Sequence, residues 1–139
     1  MKTDKKQDKT IDEINPTIVN VLRKKSIDNK LSCEEAANIA AVLAESMKDI
    51  GVACDLLEIS ITRCKLGLFG YHPQKKIVSA AQSIASELEQ AIVGRLVKGV
   101  LPCKAAWEIA ENQALPKVKV ASACEALKIK IKPCQLGAF

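Results

Sequence analysis

Aromatic residues are nearly missing from this 139-residue chain: one Trp, one Tyr and two Phe make up 3% of it, although 48% is apolar. The interior must therefore be filled by Ala, Val, Ile and Leu, which favours small, closely packed helices. No apolar run approaches the roughly 20 residues that span a bilayer. The opening MKTDKKQDKTIDEIN has positive charge but no apolar stretch of a signal peptide, so a cytoplasmic protein with no membrane segment is expected. Close cysteine pairs are missing too. Metal and cluster sites usually draw two ligands from a Cys-x-x-Cys loop, whereas the cysteines here stand 21 and 10 residues apart within each half. The single histidine, His72, precedes Pro73 as a cap or loop residue and has no serine or carboxylate motif beside it. No catalytic motif accompanies it, and neither an enzyme nor a cofactor is expected.

What is present is a duplication. Setting residue n against n+70 aligns 33–69 with 103–139 without a gap, and fourteen positions are identical. Cys33, Cys54 and Cys64 match Cys103, Cys124 and Cys134. Both copies end on the phrase Cys-x-Leu-Gly-x-Phe, as CKLGLF and CQLGAF. Two copies of one supersecondary unit are implied; a long array is not.

Each copy reads helix, turn, helix, strand. Ser32 followed by Glu35 fits a capping box, and Pro102 suits a first turn. Ala36, Ile39, Ala40, Leu43 and Ala44 then share one helical face. After a break at Glu45-Ser46, or Leu115-Pro116, a second helix places Ile50, Ala53, Cys54 and Leu57 together, as Val120, Ala123, Cys124 and Leu127 are in the second copy. EISIT and KIKIK alternate apolar and polar residues, the pattern of a short half-buried strand. Asn15-Pro16 opens a helix before the first copy, and His72-Pro73 predicts a longer one through about residue 98, with Ile77, Ala81, Ile84, Leu88, Ile92 and Leu96 along one side. That stripe either packs internally or forms a homodimer seam. The expected organisation is a disordered tail (1–13), a first repeat (14–71), a linker helix (72–100) and a second repeat (101–139).

The stretch IAAVLAESMKDIGVACDLL and its twin IAENQALPKVKVASACEAL resemble the helix-turn-helix superfamily and its winged-helix members, over about 30 residues per copy. They carry the Ile39-Ala40 and Ile109-Ala110 pairs and the apolar positions Ile50, Ala53, Val120 and Ala123 at the family's spacings, with Ala44 and Ala114 where the family often has Gly. The resemblance implies a mainly α fold of two helix-turn-helix units, each ending in a short strand or wing and joined by a long helix. It also implies DNA binding and a role in regulation, with the second helix at the major groove. Carried onto this chain, the DNA-contacting residues are Lys117, Lys119 and Ser122 on the helix, followed by Lys128, Lys130 and Lys132 on one side of the strand. Charge favours the second copy: residues 103–139 carry six basic and three acidic side chains, against three and six in 33–69. A duplex attracts the second and repels the first.

Two other classes stay open. A protein-interaction module on the same scaffold would use exposed apolar residues such as Leu56 and Val118, with Lys130 and Lys132 guarding a strand edge. A cysteine-based redox or metal sensor would use Cys64 and Cys134, which follow a strand in a turn-like segment. Cys54 and Cys124 read as core, and Cys33 and Cys103 lie on the core side of a first helical turn. Trp107, standing where the first copy has Ala37, either fills a gap against the linker helix or forms part of a partner surface.

Overall fold

Asparagine and proline set the first helix. Asn15 Oδ1 accepts a hydrogen bond from Thr17 N at 2.8 Å and Pro16 takes the first helical position, so α1 spans Pro16–Lys25. It ends on Arg23, Lys24 and Lys25, whose charges suit the negative helix end. The computed structural model describes residues 13–71 and 76–138. Residues 1–12 of the expected tail, His72, Pro73 and Phe139 lie outside them.

After α1 the chain reverses through a tight turn. Asp28 and Asn29 both adopt positive φ (54° and 60°), and Ile27 and Lys30 exchange both backbone hydrogen bonds across it. Two successive left-handed residues are what a two-residue hairpin turn demands. Strand β1 (Lys30–Ser32) runs straight into α2 (Cys33–Leu43), where Ser32 Oγ accepts from Glu35 N at 3.1 Å. Helix α3 (Met47–Leu56) is capped likewise by Ser46 on Asp49 N. Strand β2 (Ser60–Thr62) then pairs in parallel with β1, in the register Leu31 to Ile61. Burial follows the helical and strand periods: Ile18, Leu22, Leu31, Ala36, Ile39, Ala40, Ile50, Ala53, Cys54 and Ile59 are all buried.

Between α2 and α3 the turn rests on Ala44, held left-handed at φ 56°, with its twin Ala114 at 54°. A left-handed alanine costs about 1 kcal/mol that glycine does not. Ala44→Gly is therefore expected to stabilise the protein by about 1 kcal/mol, visible as a melting temperature a few degrees higher. An unchanged or lower melting temperature would contradict that assignment of strain.

The second copy repeats this order, and the structural repeat is longer than the sequence identity. Helix α4 (Ser86–Gly94) lies 70 residues after α1, and Val97 and Val100 form the same bridge across Lys98 and Gly99. Helices α5 (Cys103–Asn112) and α6 (Lys117–Leu127) follow. The expected second strand is reduced to one parallel bridge, Leu101 with Ile131, bounded by Leu101 N to Lys130 O and Lys132 N to Leu101 O, both at 2.9 Å.

Among the described residues of the expected linker helix, from 76 onward, only Ser86–Gly94 is helical. Residues 76–85 run without regular structure because their backbone groups bond elsewhere. Ile77 N and Val78 N both donate to Gly67 O, and Ala81 N donates to Ser122 O at 3.1 Å. Those tertiary partners displace the local i to i+4 bonds that the apolar period alone suggests.

The chain divides into two compact units, Met1–Cys64 with Gln135–Phe139, and Lys65–Cys134. The Leu-Gly phrases are thus traded between the copies. Residues 65–69 belong with the second copy's helices, and 135–138 with those of the first. In the second unit Gly67, at φ +78°, faces Ile77, Val78 and Val118, where an added Cβ would stand 3.1 to 3.3 Å from their side chains. In the first unit Gly51 of α3 meets the Leu136 backbone so closely that a Cβ would run into its carbonyl. Leu66 and Leu136 are both buried.

Candidate nucleic-acid interface

Helix α6 and the segment after it position the six residues assigned to DNA. Lys117 is the first residue of α6, half-buried, with its ammonium 4.7 Å from the ring centroid of Trp107 on α5. That cation–π contact explains the half-buried Trp107 and holds Lys117 across the helix entrance. Lys119 is exposed within the first turn of the helix. Lys128 sits at the left-handed cap of α6 (φ 59°) rather than on a strand, because its N–H closes the helix on Cys124 O and Glu125 O. Lys130 and Lys132 are exposed on either side of buried Ile131. With side chains alternating along an extended segment, these two point the same way, about 6.6 Å apart.

Ser122 is differently placed. Its hydroxyl donates to Ser79 O at 2.6 Å while its carbonyl accepts from Ala81 N. Val118 packs beside Gly67, and Glu125 pairs with Lys76 at 2.9 Å. Positions 118, 122 and 125 form one face of α6, and the chain itself runs along it. Ser122 is therefore engaged structurally, which nothing in its local sequence signals.

A cleft of about 660 Å³ opens beside Lys119, lined by Gln82, Ser83, Glu87, Asn112, Gln113 and Ser122 among others. The first unit has its counterpart, about 140 Å³, lined by Glu13, Asn15, Glu45 and Asp49. Positions 45 and 49 correspond to Leu115 and Lys119, so one cleft is acidic where the other carries a lysine. On α5, Glu108 hydrogen-bonds Arg95 at 2.6 Å; that bond, with the charges of Arg95 and Lys104, holds its carboxyl below the usual range.

All six cysteines are buried thiols. Cys64 and Cys134, expected in a turn-like segment after the strand, are only 3% and 9% exposed. No cluster of three or more metal-ligating side chains occurs among the described residues. Burial pushes the Cys54 thiol from 9.0 up to about 12, and the Asp55 carboxylate adds to the shift. Cys124 rises to about 11 through burial and then Glu125. In the native protein at pH 8.5 both are expected to alkylate roughly 10²-fold or more slowly than in the urea-unfolded chain. The folded thiols keep protons that unfolded ones release, so this contribution to stability is complete below pH 9 and is lost as pH rises from 9 towards 12. Equal native and unfolded alkylation rates would contradict the burial.

Comparison with known protein families, with characterised proteins and with solved structures finds no match to this chain. No helix among the described residues is long and apolar enough to cross a membrane.

Proposed function

We propose that the protein binds duplex DNA through its second unit, with α5 and α6 as a helix-turn-helix scaffold and Lys119, Lys128, Lys130 and Lys132 as phosphate contacts, in a regulatory role. One observation carries this reading: the two copies keep one backbone and core but exchange the charge on its surface. At the positions of Lys117, Lys119, Lys128, Lys130 and Lys132 the first copy has Met47, Asp49, Glu58, Ser60 and Thr62. The second unit as a whole holds eleven basic and five acidic side chains, a net of +6, while the first is at −1. A folding requirement would act on both copies alike; a polyanionic partner acts on one.

Because Ser122 is engaged with Ser79, the reading rests on backbone and shape rather than on base edges read by α6. Lys130 and Lys132, about 6.6 Å apart on one side of the segment, can each reach a phosphate of the same strand. The test is fluorescence anisotropy of a labelled random-sequence duplex, titrated at several salt concentrations. A double-logarithmic slope of about −3.6 is expected for four phosphate contacts. A flat plot, or no binding at micromolar protein, transfers the scaffold to protein contacts.

A further inference from the structure

The charge argument uses none of the cysteines, yet four of them recur in a fixed spatial relation. Cys33 is the first residue of α2, directly after Ser32, which pairs with Thr62 in the parallel β1–β2 ladder. Cys64 lies two residues past Thr62, beyond the left-handed Arg63 (φ 51°). Paired strands run about 4.8 Å apart, so the ladder delivers both cysteines to its same end. In the second copy the relation is fixed by a hydrogen bond: Cys103 N donates to the carbonyl of Pro133 at 3.1 Å, and Cys134 is the next residue. That bond, with the standard bond lengths and angles of the flanking backbone, puts the two Cα atoms at most about 7 Å apart. Disulfides bridge Cα atoms about 4.4 to 6.8 Å apart. Each pair lies inside one unit, and each second cysteine is the last residue before the chain passes to the other unit.

We infer that Cys33 with Cys64, and Cys103 with Cys134, are two dithiol modification sites, each oxidised to an internal disulfide by exchange with a low-molecular-weight disulfide. In the first step one thiolate of a pair attacks the disulfide R–S–S–R. A protein–S–S–R bond forms, and R–S⁻ leaves. The second thiolate then attacks the protein sulfur of that bond and expels another R–S⁻. Two protein thiols lose two electrons and two protons in all; the disulfide takes both electrons and becomes two thiols. Cys54 and Cys124 stand apart from both pairs, buried on the core faces of α3 and α6. The bond would fasten the start of α2 or α5 to the point where the chain leaves its unit.

The test incubates the full chain with oxidised glutathione, blocks remaining thiols with iodoacetamide in urea, and maps the tryptic peptides without reduction. Every cysteine falls on its own peptide: Cys33 on 31–48, Cys54 on 49–63, Cys64 on 64–65, Cys103 on 99–104, Cys124 on 120–128 and Cys134 on 131–139. The expected result is two cross-links, 31–48 with 64–65 and 99–104 with 131–139. Cys54 and Cys124 are then recovered alkylated, and the intact monomer has lost the mass of four hydrogens. In C64S the first link disappears and the second remains; C134S gives the converse, and either variant suffices if the other fails to fold. Links through Cys54 or Cys124, links only between molecules, or glutathione adducts with no internal link would each overturn the inference.

Discussion

Replacing Lys119, Lys128, Lys130 and Lys132 together by glutamine is expected to lower the affinity for random duplex DNA by roughly 4 × 10³-fold at about 0.1 M salt. Each lysine that neutralises a phosphate releases about 0.9 counterion, which at that concentration is worth nearly a factor of ten. The slope of log affinity against log salt should flatten by about 3.6. The side chains are exposed, and the backbone amides that hold the segment, Leu101 N to Lys130 O and Lys132 N to Leu101 O, do not depend on them. Folding should therefore survive. The control is the matching set of acidic changes in the first copy: Asp49→Asn and Glu58→Gln should alter the slope little. If the lysine variant keeps the wild-type slope and affinity, the interface lies elsewhere.

Gly51→Ala is expected to cost about 3 kcal/mol, against the helical trend. In mid-helix alanine normally stabilises by about 1 kcal/mol over glycine. Here the added Cβ would occupy the Leu136 carbonyl, and backbone cannot swing aside as the end of a long side chain can. Either α3 shifts or residues 135–138 detach and expose Leu136. The second arm of the experiment deletes 135–139. In that shortened chain the Leu136 backbone no longer blocks the added Cβ, and the sign should reverse to a stabilisation of up to about 1 kcal/mol. Urea unfolding of the four proteins measures the coupling; additive effects would mean that Gly51 and Leu136 do not meet.

Much of each unit could be read from residue order. Asn15-Pro16, Ser32 with Glu35, and the Ile50, Ala53, Cys54 face act through contacts a few residues away, and all appear where expected. The hairpins at 27–30 and 97–100 carry no shared sequence signal, because they share no identical residue. Asp28-Asn29 and Lys98-Gly99 answer the same backbone demand with different side chains. The segment 76–85 misled for the opposite reason: its apolar spacing suits a helix, but Gly67 O and Ser122 O claim its amides from a distance. Among the candidate site residues, the exposed lysines followed from charge alone. The engagement of Ser122 by Ser79, 43 residues away, did not, since a serine on a polar helix face looks the same with or without such a partner. The cysteine pairs were hidden likewise, because 31 residues separate partners that a parallel register brings together.

The traded Leu-Gly phrases bear on the order in which the protein can mature. A ribosome releases the first copy's helices while residues 135–138, of which Leu136 lies against Gly51, are still unmade. Residues 65–69, in contrast, are ready before α5 and α6 exist to receive them. The unit that is synthesised first is consequently the one that is completed last, and a nascent chain stalled anywhere before Leu136 would carry α3 with an uncovered face.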